Sequence, residues 1–502
     1  MSILVIDIGT SGIKAAVLGE DMKLIHTSYK EFLPSSVVPG FVEFDANALA
    51  DTVLEMAKAT MTQADSRQIR SVAITNQRSS TILWDKTTSV PVAPGIGWQD
   101  IRTVGTCLHL QARGIQMAPN LSATKLAFLL ELAQQQGFNT EQLLFGTIDT
   151  FLAWMLSKGT LHITDPTNAA MTGLLAHDAT HWDNTICEAL NIPLQCLPKI
   201  VDSVGVVGEA TALDGAPVIA GIAGDQQASL VGQSCMLAGM TKATFGTGAM
   251  LDLCLGEQRP AFQWRGEHGC VPIVAWRNKG ETYWGLEAIM LSAGAAINWL
   301  IEDLALFSAP EDCEKLAKSA KGGEQLFFVP ALFGMGTPVW DFGARGTFIG
   351  LTQGIGKNEL TRAVLEGIAH RGADLLESAE KDANLTKRKF FHSAKGAPTA
   401  LRVDGGMSRN NLFLQYLAEA TAKPIEVSQE VEATTLGAGY LAGIATGVWT
   451  KDDIIAAWSP KATIEPSSSA KAEERRMQIR QQWYKARELA CRTVPELSEL
   501  KL

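Results

Sequence analysis

Short apolar runs alternate with segments of helical period along the whole chain. Ile3–Ile6, Val72–Ile74, Val218–Ile222 and Leu401–Val403 read as buried strands, since they are short and mostly rich in β-branched residues. Leu360, Ala363, Val364, Gly367 and Ile368 instead follow the i, i+3, i+4, i+7, i+8 stripe of an amphipathic helix, with Lys357 to Glu359 ahead of it. After Ser467-Ser468-Ser469 the segment AKAEERRMQIRQQWYKARELA is charged and helical, and is expected as a surface helix on the second domain. Leu385–Pro398, with its Lys387-Arg388-Lys389 run, reads as a surface excursion before the next strand. The alternation as a whole predicts an α/β fold.

Two turns interrupt this pattern in the same way. Asp7-Ile8-Gly9-Thr10-Ser11-Gly12 follows one strand and leads into Ile13–Leu18, and Phe245-Gly246-Thr247-Gly248-Ala249 follows Thr241–Thr244 and leads into Met250–Cys254. A duplicated architecture places one such hairpin at the start of each domain, so the boundary is expected near residue 233, giving units 1–232 and 233–502. With 502 residues the chain exceeds what one hydrophobic core serves, which also predicts two domains and a cleft between them.

The formal net charge of −10 argues against nucleic acid or an anionic membrane surface as the main partner and turns attention to small molecules. No run approaches the roughly 18 apolar residues of a membrane span. MSILVIDIGTSG lacks a basic lead and is interrupted by Asp7, so it does not read as a secretory segment. The eight cysteines are scattered without a CxxC pair, which predicts reduced thiols in a cytoplasmic protein.

Glycine lets backbone amides approach an anion, and Thr and Ser add hydroxyl donors, so either hairpin cradles phosphate or is an ordinary turn. Asp7 shifts that balance: a carboxylate beside a phosphate loop calls for a divalent cation between them, usually Mg²⁺, and Lys14 adds positive charge nearby. Neither GxxxxGK[ST] nor a GxGxxG between strand and helix occurs, which disfavours P-loop and dinucleotide-binding folds. A third glycine site, Val403–Asn411, opens a helix over Asn411–Ala420; it is either a tight turn or a place where Asn410 and nearby amides receive nucleoside or phosphate. Asp225 leaves a Gly/Ala-rich strand, where it either caps the following helix or takes a proton from an attacking hydroxyl, with small neighbours giving a ligand room. Asn76-Gln77-Arg78-Ser79-Ser80 ends another strand in five polar residues that do not form a favoured turn sequence, which points to a polar ligand.

DIGTSGIK, PGFVEFD, ITNQRSSTILWD, GIGWQDIRT, FGTIDTFLAW, HITDPTNAAMTG, GIAGDQQASLVGQ, FGTGAML, VPALFGMGTPVWD, RGTFIGLTQG and LRVDGGMSRNN resemble, in order and over nearly the whole chain, the FGGY carbohydrate kinases, and most closely their glycerol kinase branch. The resemblance implies two RNase H-like domains of the actin, hexokinase and Hsp70 ATPase type, with MgATP and a small polyol or sugar in the cleft. It implies that Asp7 helps hold Mg²⁺, that Thr10, Ser11, Lys14, Gly246 and Thr247 contact the phosphates, and that Gly294, Asn298, Gly406 and Asn410 approach the nucleotide. Asp225 takes the role of base, and Arg78, Ser79, Trp98, Asn120, Gln226 and Met250 stand at the acceptor. A homodimer or homotetramer is expected.

Departures from the branch cluster at the acceptor. Ser79 stands where glycerol kinases carry glutamate, Asn120 where they carry tyrosine, and Met250 where they carry phenylalanine; Phe128 replaces a tryptophan of the first signature. Losing a carboxylate, a phenol and an aromatic wall weakens glycerol, leaves room for a longer acceptor, and tolerates an acidic one beside Arg78. The expected acceptor is therefore glycerol or another polyol, ketose or sugar acid of about three to five carbons. A phosphate-to-water ATPase of the actin or Hsp70 type is the alternative from another class, but it has no use for Arg78, Trp98 and Gln226; a dehydrogenase lacks its fingerprint loop. A catalytically weak regulator would have no need of both Asp7 and Asp225.

Overall fold

The computed structural model describes residues 2–36, 38–64, 69–384 and 400–500, so the Leu385–Pro398 excursion lies outside the described residues. The N-terminal half carries β1 (Ser2–Ile8), β2 (Gly12–Leu18), β3 (Leu24–Glu31), β4 (Ile69–Asn76), β5 (Val204–Glu209) and β6 (Val218–Gly224). They lie in the order β3-β2-β1-β4-β6-β5: an antiparallel meander, then two strands parallel to β1, then an antiparallel edge. The second half has β7 (Thr241–Phe245), β8 (Ala249–Gly256), β9 (Val271–Asn278), β10 (Glu281–Met290), β11 (Leu401–Asp404), β12 (Ile425–Ser428) and β13 (Pro460–Ile464). Their order, β9-β10-β8-β7-β11-β12-β13, repeats the plan, with β11 and β12 parallel to β7. One bridge, Val204 opposite Asn278, runs the two sheets together.

The central strands are covered on both faces, which is why they read as unbroken apolar runs. Leu4, Ile6, Val72, Ile74 and Ile219 face Leu49 and Val53 of the helix Ala46–Gln63. On the other face Ile3, Val5, Ala73 and Ala220 pack with Leu436, Ala438 and Leu441 of the helix Ala433–Ala445, which belongs to the second half of the chain. The two halves therefore share a core.

That packing corrects one sequence expectation. The Gly/Ala-rich strand before Asp225 makes room for a helix rather than for a ligand: a Cβ on Gly221 would lie 2.7 Å from the Ala442 nitrogen. The same helix crosses Asp225–Gly232 so closely that a Cβ on Gly437 would collide with the Ala228 carbonyl. The C-terminal helix, Ala470–Ala490, is a surface helix packed on the second half, anchored by Trp483, which is fully buried against Asp374 of the helix Lys357–Asp382.

Candidate active site

The register of β1, β4 and β6 brings their C-terminal ends level, with Ile8 beside Asn76 and Asn76 beside Gly224. Three exits therefore open on one edge: Gly9-Thr10-Ser11, Gln77-Arg78-Ser79 and Asp225-Gln226-Gln227. Parallel strands present such an edge as a natural ligand site. A buried polar network supports it from behind: Asn76 Nδ2 donates to Asn168 Oδ1 (3.0 Å), and the Gly224 N–H donates to Thr167 Oγ1 (2.8 Å). Both partners lie in the helix Pro166–Ala170, whose N-cap Asp165 also accepts from Ser203 Oγ at 2.6 Å.

Asp225 opens its helix at the first position, and Gly224, not Asp225, is the N-cap. Its Oδ1 accepts the Gln226 N–H at 2.8 Å and lies 3.4 Å from Arg78 Nε. Burial raises its pKa; Arg78 opposes that rise, and Glu287 on β10 adds to it. Arg78 is held between the halves, because its Nη2 also meets Glu287 Oε2 at 2.8 Å, and Gly224 leaves the space over which its chain packs. Ser79 follows with a positive φ of 66° and is buried, its hydroxyl donated to the Met171 carbonyl at 2.8 Å. It offers the cleft neither a charge nor that hydroxyl.

Trp98, Asn120, Gln226 and Met250 are each half-buried. Trp98 Nε1 donates to Thr10 Oγ1 at 3.3 Å, which ties the tryptophan to the first hairpin. Lys125 joins Trp98 to Asn120, its Nζ donating to the two backbone carbonyls at 3.1 and 3.2 Å; burial pushes this lysine down to about 7.

Burial pushes Asp7 up to about 6 against the attraction of Lys14; Thr435 Oγ1 donates to its Oδ2 at 2.7 Å, and Asp225 and Glu432 press the pKa further upward. Lys14 forms an ion pair with Glu432 across the cleft. Among the described residues no cluster of three or more metal-ligating side chains exists. Asp7 still fits a divalent cation, because Mg²⁺ usually takes one or two carboxylates and completes its shell with water and substrate phosphates.

The second hairpin is clasped by the helix Gly294–Glu302: the Gly294 N–H donates to the Gly246 carbonyl at 2.9 Å and the Ala295 N–H to that of Thr247 at 3.0 Å. Thr247 and Asn298 are exposed. Gly405 has a φ of +88° and approaches the Phe245 carbonyl so closely that a Cβ would lie 2.5 Å away, which sets the third glycine turn beside the second. Gly406 faces open space, while Asn410 Oδ1 caps the helix Asn411–Thr421 by accepting the Phe413 N–H at 2.9 Å.

The predicted residues thus gather as two groups on facing sheet edges. Sequence reading missed Glu287, Lys242, Lys125, Thr435 and Glu432. Glu287, Thr435 and Glu432 meet partners more than two hundred positions away, whereas Lys242 and Lys125 meet partners nearer in the chain, through contacts that residue type alone does not announce.

Two family models match, described as the FGGY family of carbohydrate kinases, N-terminal domain, over residues 2–232 and C-terminal domain over 242–446. A protein named glycerol kinase from Nitratidesulfovibrio vulgaris is 36% identical over 490 residues, covering 94% of this chain and 96% of its own. One of the same name from Geobacillus kaustophilus is 35% identical over 502 residues, covering 96% and 98%. The crystal structure of Plasmodium falciparum glycerol kinase with ADP superposes with a TM-score of 0.86 at 26% identity, covering 97% of this chain and 98% of that one. The architecture is that of the two RNase H-like domains of the actin and hexokinase type.

Proposed function

Because the chain belongs to the FGGY family of carbohydrate kinases, we propose that its acceptor is a small uncharged polyol or ketose of about three to five carbons. The protein is an ATP-dependent phosphotransferase acting on a sugar or polyol. Asp225 is the general base: its carboxylate takes the proton of the attacking hydroxyl as the new O–P bond forms and the bond to the leaving diphosphate breaks. Thr10, Ser11, Gly246 and Thr247 hold the phosphates from the two hairpins. Lys14 joins them on leaving Glu432. Gly294, Asn298, Gly406 and the Asn410 Nδ2 group line the nucleoside end. Mg²⁺, when bound beside Asp7, neutralises phosphate charge. The shared core brings the two edges face to face, and their closure over bound substrates would exclude water and limit hydrolysis of ATP.

The observation that carries the acceptor class is the state of Arg78 and Ser79. The Ser79 hydroxyl is committed to Met171, so the pocket lacks a side-chain acceptor there. Glu287 already neutralises Arg78 and Asp225 adds a second carboxylate, so the vacated charge at position 79 does not leave room for an acidic substrate. Glycerol itself is the second reading, favoured by the names of the relatives. A coupled assay of ADP release over glycerol, tetritols, pentitols, ketoses and the matching sugar acids decides between them. A longer neutral acceptor is expected to give the highest kcat/KM and the acids the lowest. Glycerol ahead of every other acceptor by tenfold or an acid at the top would each overturn the proposed class.

Three broader assignments belong to the same proposal. The division between domains falls at 232/233, supported by the repeated sheet plan. The protein works in the cytoplasm, where ATP is available, consistent with eight cysteines without a disulfide. It assembles as a homo-oligomer, as the sequence resemblance implies.

A further inference from the structure

We propose that Lys242 is a positioning residue for the transfer, holding the Gln226 side chain from the opposite half so that Asp225 keeps its orientation toward the acceptor. This rests on the assignment of Asp225 as base.

Lys242 lies on β7, one residue before the three that lead into the second hairpin, and is fully buried. Its Nζ lies 2.7 Å from Asp252 Oδ2, donates to Gln226 Oε1 at 2.7 Å and to Thr244 Oγ1 at 3.2 Å. The ammonium is thus engaged by one carboxylate and two neutral oxygens, all within the protein. Asp252 is the cross-strand neighbour of Lys242 on one side and of Glu287 on the other. Arg78 reaches Glu287 and Asp225 from the first half, and Asp225 accepts the Gln226 N–H. The contacts run as a closed ring, Lys242, Gln226, Asp225, Arg78, Glu287, Asp252, that crosses between the halves twice.

A buried lysine–carboxylate pair contributes little net stability compared with apolar residues of the same shape. Its geometry is the stronger reason for its presence. The Gln226 side chain meets Lys242 on β7, and pinning it pins the peptide whose N–H fixes Asp225 Oδ1. Charges facing Asp225 come from Arg78 after β4, Glu287 on β10, Lys242 on β7 and Asp7 on β1. Two are positive and two negative, so Lys242 also belongs to the balance that keeps Asp225 ionised.

The test is a set of variants in the full chain: Lys242→Met, Gln226→Leu, the double variant, and Asp225→Asn. Displacing a catalytic group by about an ångström costs on the order of 10²-fold, so Lys242→Met is expected to lower kcat about 10²-fold with the KM for ATP nearly unchanged. The acid limb of its pH–rate profile is expected to move to higher pH, since Asp225 loses a nearby cation. Gln226→Leu is expected to lower kcat while leaving that limb in place, and the double variant to be no slower than Lys242→Met alone. Gln226→Leu leaves the Lys242–Asp252 pair intact, so it tests the link even if Lys242→Met does not fold. Unchanged kcat in Gln226→Leu, or losses that multiply independently in the double variant, would overturn the proposal. Retained kcat in Asp225→Asn would overturn the base assignment and the positioning role together, whereas loss there with retention in Lys242→Met removes only the latter.

Discussion

Asp225 combines a strand exit, a helix start and a partly buried carboxylate, and its chemistry follows from how these compete. Burial disfavours the charged form, Arg78 restores part of it, and the pKa stays above the ordinary carboxylate range. A base must be ionised, so kcat/KM is expected to fall as pH drops through that raised value, with a midpoint above that of an exposed aspartate. Asp225→Asn removes the proton acceptor and keeps the shape. It is expected to lower kcat by about 10² to 10⁴ while the acceptor KM changes only a few-fold, as steady-state kinetics at saturating ATP would show. A variant with near wild-type kcat would rule out proton transfer to this residue. The residue types were readable in the chain, because acids, glycines and an arginine recur at several strand exits, even though turns and helix caps use the same types one at a time. Their partners were not: Glu287 lies more than two hundred positions from Arg78 and has no local peculiarity.

Among elements, the C-terminal helix Ala470–Ala490 shows how local pattern and tertiary context diverge. Its many charges predict a solvated face, and most are solvated, but Arg480 and Arg487 turn inward. Asp374, fully buried on the helix Lys357–Asp382, meets Arg371 Nη1 (2.9 Å), Arg480 Nη2 (2.8 Å) and Arg487 Nη1 (3.0 Å), and accepts from Trp483 Nε1. Burial opposes its ionisation, yet the guanidiniums of Arg371, Arg487 and Arg480 overcome that and hold the carboxyl well below the usual range. A carboxylate with a depressed folded-state pKa contributes stability above its unfolded value and loses it as pH falls. Asp374 therefore contributes in full at neutral pH, and its contribution declines progressively as pH falls below about 4, vanishing only beneath its depressed folded-state value. Asp374→Asn leaves buried cations without their counter-charge and is expected to cost about 3 to 5 kcal/mol, measured by denaturant unfolding at pH 7. A loss under 1 kcal/mol would mean that the helix is held by Trp483 and its apolar neighbours alone.

For the whole molecule, the helix Ala433–Ala445 matters most, because it comes from the second half and completes the core of the first. Its close crossing needs glycine at 437, where a Cβ would collide with the Ala228 carbonyl. Gly437→Val is expected to lower stability by about 3 kcal/mol or more through overpacking against a backbone that cannot yield. A shared core also predicts that the intact protein unfolds in one calorimetric transition, although chains of this size often show several. Two well-separated transitions would show that the halves are stabilised independently. The sequence by itself determined the α/β alternation, the two Gly/Thr hairpins, the carboxylates at strand exits and the family, since these depend on residue type and short spacing. Only the tertiary structure decided that the small residues before Asp225 receive a helix, that Ser79 turns to Met171, and that Lys242 and Glu287 close a ring of charge around Arg78 and Asp225. The physical reason is range: periodicity and turn chemistry act over a few residues, whereas burial and ion pairing depend on which distant segments the sheets bring together.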